Sequence, residues 1–224
     1  GKLPVIVGGT GLYIRILTGG LAEVGGPNQA KRDEYKQMLE QLGPEALYAL
    51  LESRDSRRAV KITPADSFRV IRALEILDSG NEEIEKVYSE HAFSEEPYDT
   101  FKLILTMDRQ RLYKRIDQRV DEMITAGFLK EVELLLRKYG TDAPALDAIG
   151  YRQLVSVLRG EMALEDAVRI IQRDSRRYAK RQLTWFRKEK DAVWLDYNPD
   201  DVEALVDEAI GLVRRFYESR TIGN

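Results

Sequence analysis

The sequence predicts an α/β fold that carries a long, mostly helical insertion. Three short apolar runs, rich in β-branched residues, have the length and composition of buried strands: 3–7, 101–107 and 192–195. The rest of the 224-residue chain is typical of helices separated by glycine and proline. Because residues 22–100 contain no convincing strand, we expect them to form a helical subdomain between the first two strands.

Each element follows from its local pattern. The first strand ends at Gly8-Gly9 and leads into a helix over 11–17. An average sheet has about five or six strands. Since this sequence predicts only three, we expect the sheet to be incomplete in this chain. Apolar periodicity and glycine or proline boundaries predict the other helices at 28–42, 44–52, 56–60, 66–78, 82–91, 108–138, 147–158, 163–189 and 199–219.

Composition excludes several classes of site. The chain has no Cys and one His, which rules out thiol catalysis, disulfides and Cys- or His-rich zinc sites. The single histidine, His91, is interpreted as a surface residue. No run approaches the roughly 20 apolar residues of a membrane span, and no signal peptide is visible. A soluble, cytoplasmic protein is therefore predicted.

Charge is distributed unevenly around a net charge of −3. Residues 169–190 carry nine bases and two acids, whereas 79–100 and 191–213 are strongly acidic. This density of bases exceeds what a solvated helix face usually requires, and the phosphates of a folded nucleic acid are its natural ligand. On the other face of this helix Ile171, Tyr178 and Trp185 recur every seven residues, and we interpret them as core rather than as a base-stacking surface.

The glycine turn at residues 8–11 is a candidate anion site. A strand that ends in paired glycines and opens a helix lets backbone N–H groups approach an anion, and the helix dipole favours negative charge there. The Thr10 hydroxyl can add a hydrogen bond to a phosphate oxygen or a substrate amine. An ordinary turn with Thr10 as helix N-cap is the alternative. The turn is not a P-loop, because the chain contains no GxxxxGK[ST] motif.

A row of three arginines, Arg111, Arg115 and Arg119, lies along one edge of the helix that begins near residue 108. Asp108 is expected to pair with Arg111 and Glu122 with Arg119, whereas Arg115 has no acidic residue three or four positions away on its helix. Unpaired guanidinium groups grip phosphate oxygens well. Pairing with acids on another helix is an equally open alternative.

Two smaller segments have ordinary local explanations. Asp66 is expected to cap the helix that contains Arg69 and Arg72, and residues 145–153 form a turn into a helix. By physical chemistry alone, helix capping is the default interpretation of both.

Taken together, these segments resemble the tRNA dimethylallyltransferases, also called tRNA isopentenyltransferases. The matching stretches follow in the order of that family: 1–13, 69–75, 111–123 with Gly127, 148–151 and 175–187. The resemblance implies a P-loop NTPase-like α/β core with an inserted helical subdomain. Residues 1–21 and 101–224 would form the catalytic core, and 22–100 would contact the anticodon stem-loop of tRNA.

The resemblance also implies the reaction and its partners. A dimethylallyl group would pass from dimethylallyl diphosphate to N6 of the adenosine 3′-adjacent to the anticodon, with Mg²⁺ at the diphosphate and the enzyme acting as a monomer. Catalytic roles fall to Thr10, Arg115 and Arg119, and Gly8 and Gly9 join them in binding diphosphate. The tRNA-binding positions implied are Lys31, Asp66, Ser67, Phe68, Arg69, Val70, Ile71, Leu146, Asp147, Ala148, Ile149, Gly150, Tyr151, Arg176, Arg177, Lys180 and Arg181. We expect Thr10, the arginine row and the basic helix to converge on one channel.

The sequence departs from the family at its start. The family's glycine-rich P-loop and the aspartate that serves as general base precede the region that matches Gly1, and neither motif occurs here. We therefore expect this chain by itself to have no appreciable transferase activity. A non-catalytic RNA-binding module and an adenylate isopentenyltransferase remain as alternative functions.

Overall fold

The chain forms two units: Leu12–Asp99, here called the helical unit, and Gly1–Gly11 with Thr100–Asn224, the core unit. The computed structural model describes residues 3–20, 28–79, 93, 95, 97–141, 143–189 and 191–221. The boundary drawn from the sequence after residue 21 differs from the one in the structure, which falls directly after the glycine turn. The predicted helix 82–91, including His91, lies outside the described residues.

The helical unit contains four described helices. They are α1 (Gly11–Gly19, which starts at the unit boundary), α2 (Gln29–Arg54), α3 (Ser56–Ala59) and α4 (Ser67–Asp78). Helix α2 covers two predicted helices and is kinked between them at Gly43, where φ is +83° and Pro44 follows. A positive φ and a missing proline N–H interrupt helical hydrogen bonding there, as the sequence indicated.

Apolar packing and two charged clusters hold the helical unit together. Helices α2, α3 and α4 share a core whose buried members are Tyr35, Leu47, Leu51, Ala59, Val70, Ile71, Ala73 and Leu74. At its edge the Glu75 carboxylate accepts hydrogen bonds from Arg32 (2.6 Å) and Arg72 (3.0 Å). The Asp78 carboxylate accepts hydrogen bonds from the Tyr35 hydroxyl (2.6 Å) and the Arg54 guanidinium (2.7 Å).

The core unit contains a two-stranded parallel sheet within the described residues. Strand β1 (Lys102–Thr106) pairs with β2 (Ala192–Asp196) in register, with Leu103 beside Val193. Both were predicted as strands. The third predicted strand, 3–7, is wrong: these residues belong to no sheet and are exposed, Val7 to 91%. An extended apolar run becomes a strand only when a neighbouring strand accepts and donates its ladder hydrogen bonds.

The helices of the core unit largely follow the predicted segments, with glycines setting the breaks. The segment predicted as one helix over 108–138 is two helices, because Gly127 takes a left-handed φ of +101° between them. A short 3₁₀ turn precedes the helix predicted at 147–158, which begins only at Tyr151. The described helices are α5 (Arg109–Thr125), α6 (Phe128–Tyr139), α7 (Tyr151–Leu158), α8 (Leu164–Phe186) and α9 (Val202–Thr221), with the 3₁₀ turn at Pro144–Asp147.

Helices α5 to α8 pack around an apolar core. Its buried members are Val120, Phe128, Val132, Leu146, Leu154, Val155, Ala167 and Ile171. Of the predicted aromatic and aliphatic stripe on α8, Ile171 lies in this core, whereas Tyr178 is exposed. Among the described helices none is long and apolar enough to cross a membrane.

Candidate functional site

The glycine turn of the core unit lies against the C-terminal half of α8. The Gln182 side-chain amide donates a hydrogen bond to the Gly9 carbonyl oxygen at 2.9 Å. A Cβ atom on Gly11 would lie 2.1 Å from Cδ1 of Trp185, so only glycine allows this approach. Thr10, between the two glycines, is exposed and makes no side-chain hydrogen bond with any described residue. It therefore does not act as the N-cap acceptor that the alternative interpretation required.

A basic surface depression lies beside this turn. Six side chains of α8 and the turn that follows it line the depression: Arg177, Lys180, Arg181, Thr184, Trp185 and Lys188. The Trp185 ring links the depression to the glycine turn, and the Arg181 guanidinium lies over the Tyr178 ring at 5.6 Å. The glycine turn that contains the exposed Thr10 and the cations of α8 thus lie next to each other in the core unit.

Arg176 has a different environment from the other predicted RNA-binding bases of α8. It forms an ion pair with Asp117 of α5, and its side chain is partly buried. Gln172, one turn earlier, donates hydrogen bonds to the Asp117 carbonyl (3.3 Å) and the Asp121 carboxylate (2.9 Å). Arg176 therefore fastens α8 to α5 in this structure.

The arginine row of α5 follows neither of the predicted pairings. Asp108 uses its carboxylate to cap the helix, accepting from the backbone N–H of Arg111 at 3.0 Å. Glu122 accepts a hydrogen bond from Gln118 at 3.0 Å rather than pairing with Arg119. Capping satisfies backbone N–H groups that otherwise lack a partner in the first turn of the helix, and it orders no arginine side chain.

The three arginines of this row have different environments. Arg111 reaches Asp200 at 3.4 Å, which is the pairing with another element that the sequence left open. The Arg115 guanidinium lies over the Tyr197 ring, 5.5 Å from its centroid. Arg119 is exposed and has no hydrogen bond or ion pair among the described residues. Since α5 follows β1 and Tyr197 follows β2, the row starts at the carboxyl ends of the strands, where α/β proteins commonly bind ligands.

The arginine row and the glycine turn are not joined by a direct contact. Asp117 and Asp121 face α8, and Arg115 and Arg119 are offset from Asp117 by two residues, which is half a turn of helix. No hydrogen bond or ion pair connects Thr10 with either arginine in the described parts of the core unit. The structure thus brings Thr10 to α8, and the shared channel stays a prediction.

The predicted RNA-binding residues of the helical unit divide into surface and core. Asp66 caps α4 as expected, accepting from the Arg69 backbone N–H at 3.2 Å. Phe68 is 77% exposed on the first turn of α4, beside the exposed Arg69. Val70 and Ile71 are buried in the apolar core, so their side chains cannot be surface contacts. Among the tRNA contacts predicted in this segment, side-chain contacts at the surface therefore remain possible for Ser67, Phe68 and Arg69.

Lys31, at the start of α2, is also partly exposed. Its ammonium group pairs with Glu34 at 2.8 Å, and this hydrogen bond raises the pKa of Lys31. The lysine stays charged at neutral pH and can exchange this exposed partner for a phosphate.

Residues 146–151 form a tight structural corner in the core unit. Leu146 is buried, and Gly150 takes a φ of +97° with the Phe128 ring 2.8 Å from the position of a Cβ. Tyr151 packs edge-on against Phe128 at 5.0 Å and donates its hydroxyl hydrogen bond to Glu131 at 2.6 Å. That hydrogen bond raises the pKa of Tyr151. Ile149 is partly buried, which leaves Asp147 and Ala148 as the exposed members of the corner.

Sequence reasoning missed three residues that organise these surfaces: Gln153, Asp174 and Tyr197. Gln153 is buried and joins the Gly150 backbone to Asp174 of α8, while Tyr197 supports Arg115. Gln153 and Asp174 lie 21 residues apart, so no local spacing signals the contact. No group of three or more carboxylate, imidazole or thiol side chains that could hold a metal ion occurs among the described residues.

Comparison with known proteins gives the chain its family. The IPP transferase family model matches residues 1–189, most of the chain. The chain belongs to the IPP transferase family. The resemblance recognised in the sequence is thereby confirmed.

Relatives that carry the name tRNA dimethylallyltransferase come from several organisms. A tRNA dimethylallyltransferase of Geobacter sulfurreducens is 40% identical over 214 residues, covering 94% of this chain and 69% of the relative. One from Symbiobacterium thermophilum is 42% identical over 224 residues, covering 98% and 69%. A third, from Geotalea daltonii, is 43% identical over 198 residues, covering 88% and 61%. The chain thus spans about two thirds of the length of these relatives.

Solved structures of the IPP transferase family resemble the fold. The tRNA isopentenylpyrophosphate transferase of Bacillus halodurans superposes with a TM-score of 0.58 at 31% identity, covering 96% of this chain and 67% of that one. A eukaryotic dimethylallyltransferase acting on tRNA gives a TM-score of 0.73 at 26% identity, covering 97% and 57%.

Proposed function

We propose that this protein transfers a dimethylallyl group from dimethylallyl diphosphate to N6 of the adenosine 3′-adjacent to the anticodon in tRNA. The observation that carries the proposal is the match of the IPP transferase model to residues 1–189. Relatives named tRNA dimethylallyltransferase at 40% and 42% identity agree with it. The proposal includes a P-loop NTPase-like core, which the parallel pairing of β1 and β2 supports.

The RNA side of the proposal is supported by the charge of the α8 surface. Arg177, Lys180 and Arg181 line the depression beside the glycine turn, and none of the acids on α8 faces Lys180 or Arg181 closely enough to pair. Cations left unpaired on a surface bind nucleic acid by displacing the counterions of its phosphates. In the helical unit, the exposed Phe68 ring with Arg69 beside it is the pair of groups that stacks on an unpaired base.

The donor side of the proposal uses Thr10, Arg115 and Arg119. The N6 amine attacks the allylic carbon, and the bond from that carbon to the diphosphate oxygen breaks. The N6 proton passes to a general base, the role that the resemblance gives to an aspartate preceding the region that matches Gly1. Negative charge gathers on the departing diphosphate, and guanidinium groups placed in advance stabilise it. We assign this role to Arg115, whose plane Tyr197 restrains, and to Arg119, and we assign to Thr10 a hydrogen bond to the amine.

Mg²⁺ enters the proposal as a companion of the donor. The described residues form no cluster of metal-binding side chains, and Mg²⁺ is commonly bound through substrate phosphates and water. When bound to the diphosphate it would neutralise part of the leaving charge. We further propose that the protein works in the cytoplasm, as a monomer, where tRNA is its partner.

A transfer assay tests the proposed function. The full product of the coding sequence is incubated with Mg²⁺, labelled dimethylallyl diphosphate and an anticodon stem-loop RNA that has adenosine after the anticodon. We expect label in this RNA and none in a matched RNA with guanosine at that position. Transfer to AMP but not to the RNA would support an adenylate isopentenyltransferase instead. Binding of the RNA without transfer to any acceptor would support a non-catalytic RNA-binding module.

A further inference from the structure

Asp174 of α8 gathers three arginines around one carboxylate. Arg173 lies 3.0 Å from it, Arg152 reaches it from α7 at 3.4 Å, and Arg177 approaches within 3.8 Å. The Asp174 side chain is only 14% exposed, whereas those of the three arginines are between 48% and 65% exposed. The acid therefore lies beneath a layer of outward-facing cations.

A buried amide fixes the position of this carboxylate. The Gln153 side chain donates to the Asp174 carboxylate at 3.3 Å, and its own oxygen accepts from the Gly150 backbone N–H at 2.8 Å. Gln153 is buried at the interface of α7 and α8. Because the amide is held at both ends, Asp174 is a fixed point rather than one partner of a mobile surface pair.

The charges of this cluster do not balance. Three guanidinium groups face one carboxylate, which leaves two positive charges at a half-exposed surface. Arg173 and Arg177 stand at i and i+4 on α8, where like charges repel. Each guanidinium carries five donors, and one shared carboxylate cannot accept from all of them. An external anion with several oxygens would complete the arrangement.

We propose that Asp174 is a positioning residue that holds Arg152, Arg173 and Arg177 as a preformed site for the phosphates of an RNA backbone. Residues 173, 177 and 181 follow at intervals of four along one face of α8, so the site continues into the basic depression that Arg177 also lines. A continuous strip of this kind suits a chain of phosphates better than a single small anion. The inference rests on the proposed function, because the ligand is the tRNA backbone.

Asp174 acts on RNA binding through the order that it imposes. A free arginine side chain samples many rotamers, and RNA must restrict them on binding. With Asp174 in place, the guanidinium groups are already gathered before RNA arrives. The same carboxylate also repels phosphate. If ordering of the arginines dominates, removal of the carboxylate weakens RNA binding, and if charge repulsion dominates, its removal strengthens RNA binding.

The opposite signs make D174N the decisive test. Binding of an unmodified tRNA transcript to the full chain is measured by fluorescence anisotropy over a range of salt concentrations. We expect the variant to bind about fivefold more weakly although its net charge rises by one. We also expect the slope of log Kd against log salt to decrease by about one, which corresponds to the loss of about one phosphate contact, because the dispersed arginines engage fewer phosphates. A purely electrostatic role predicts tighter binding.

Two matched variants control for charge and for additivity. D166N adds the same charge to the same helix at an acid that pairs, within the described part of the chain, with the single base Arg169, and it should bind tRNA equally well or more tightly. In a background that carries R152Q, R173Q and R177Q, D174N should cause no further loss of affinity. Thermal unfolding of every variant should remain cooperative, with a midpoint near that of the parent chain.

The outcomes separate this inference from the proposed function. If the parent chain does not bind tRNA at low salt, both are contradicted. If the parent chain binds and D174N binds equally well or better, only the role of Asp174 is overturned. Should D174N fail to fold, R152Q provides the second test: it should weaken binding about threefold, and unchanged affinity would overturn the site.

Discussion

The two units of the chain each contain an acid that gathers arginines, and the two clusters differ in burial. In the helical unit, the Glu75 side chain is 1% exposed and its partners Arg32 and Arg72 are 27% and 30% exposed. In the core unit, the arginines around Asp174 are about half exposed. The acids of both clusters are largely buried, so the clusters differ mainly in how far their arginines are exposed to solvent, and only the arginines around Asp174 remain accessible to an external anion.

The electrostatics of the helical unit agree with a stabilising role. Burial raises the pKa of Glu75, but hydrogen bonds from Arg32 and Arg72 outweigh it and hold the pKa below its usual value. The pKa of Asp78 is likewise lowered, since the hydrogen bonds from Tyr35 and Arg54 exceed the effect of burial. Both carboxylates are therefore charged and fully partnered at neutral pH.

The largest expected effect is on stability in the helical unit. Replacing Glu75 with Gln leaves two partly buried guanidinium groups without their counter-charge, and we expect unfolding to become easier by about 3 kcal/mol. Urea unfolding of the full chain followed by circular dichroism measures this loss. E34Q, at an exposed acid whose ion pair among the described residues is with Lys31, should leave stability nearly unchanged. Equal effects of the two variants would contradict the comparison.

The arginine row of α5 extends the comparison to catalysis. Replacing Arg115 with Gln should lower the rate of prenyl transfer about a hundredfold, because it removes a cation to which we assign the stabilisation of the developing diphosphate charge. R111Q is the matched variant, since Arg111 is engaged by Asp200 and Asn198. We expect it to lower the rate by less than about fivefold. Single-turnover kinetics of the full gene product would measure both, and equal losses would show that pairing within the fold does not distinguish the two arginines.

The pH dependence of stability sharpens the comparison further. Glu75 and Asp78 have lowered pKa values in the folded state. Their contribution to stability is therefore fully present above the pKa values of the unfolded chain, near about 4, and it is lost as pH falls through the lower pKa values of the folded chain. We expect the stability of the parent chain to drop between about pH 5 and pH 3. A chain carrying D78N should lose less over the same window, as urea midpoints at each pH would show. A parallel decline in both proteins would remove Asp78 from the explanation.

The smallest effect is expected at the exposed end of the basic surface. K180A should weaken tRNA binding about threefold at physiological salt and reduce the salt slope by about one, because one phosphate contact is lost. Its melting temperature should be unchanged, since Lys180 makes no ion pair among the described residues. Anisotropy titrations at several salt concentrations provide the measurement, with K36A in the helical unit as a control for loss of a lysine elsewhere. Equal weakening by K36A would show that net charge, rather than the α8 surface, governs binding.

The sequence by itself determined what depends on short stretches of chain. Helical periodicity, the Asp66 cap, the Gly43-Pro44 kink and the family motifs are local, because neighbouring residues fix backbone dihedrals and capping hydrogen bonds. Only the tertiary structure decided the features that need a distant partner. Residues 3–7 have strand composition but no neighbouring strand in the described sheet, and Val70 looks like part of a surface motif until its burial is seen. Asp174 and Gln153 meet across 21 residues, and the energy of such contacts comes from packing and charge in space, which spacing along the chain does not record.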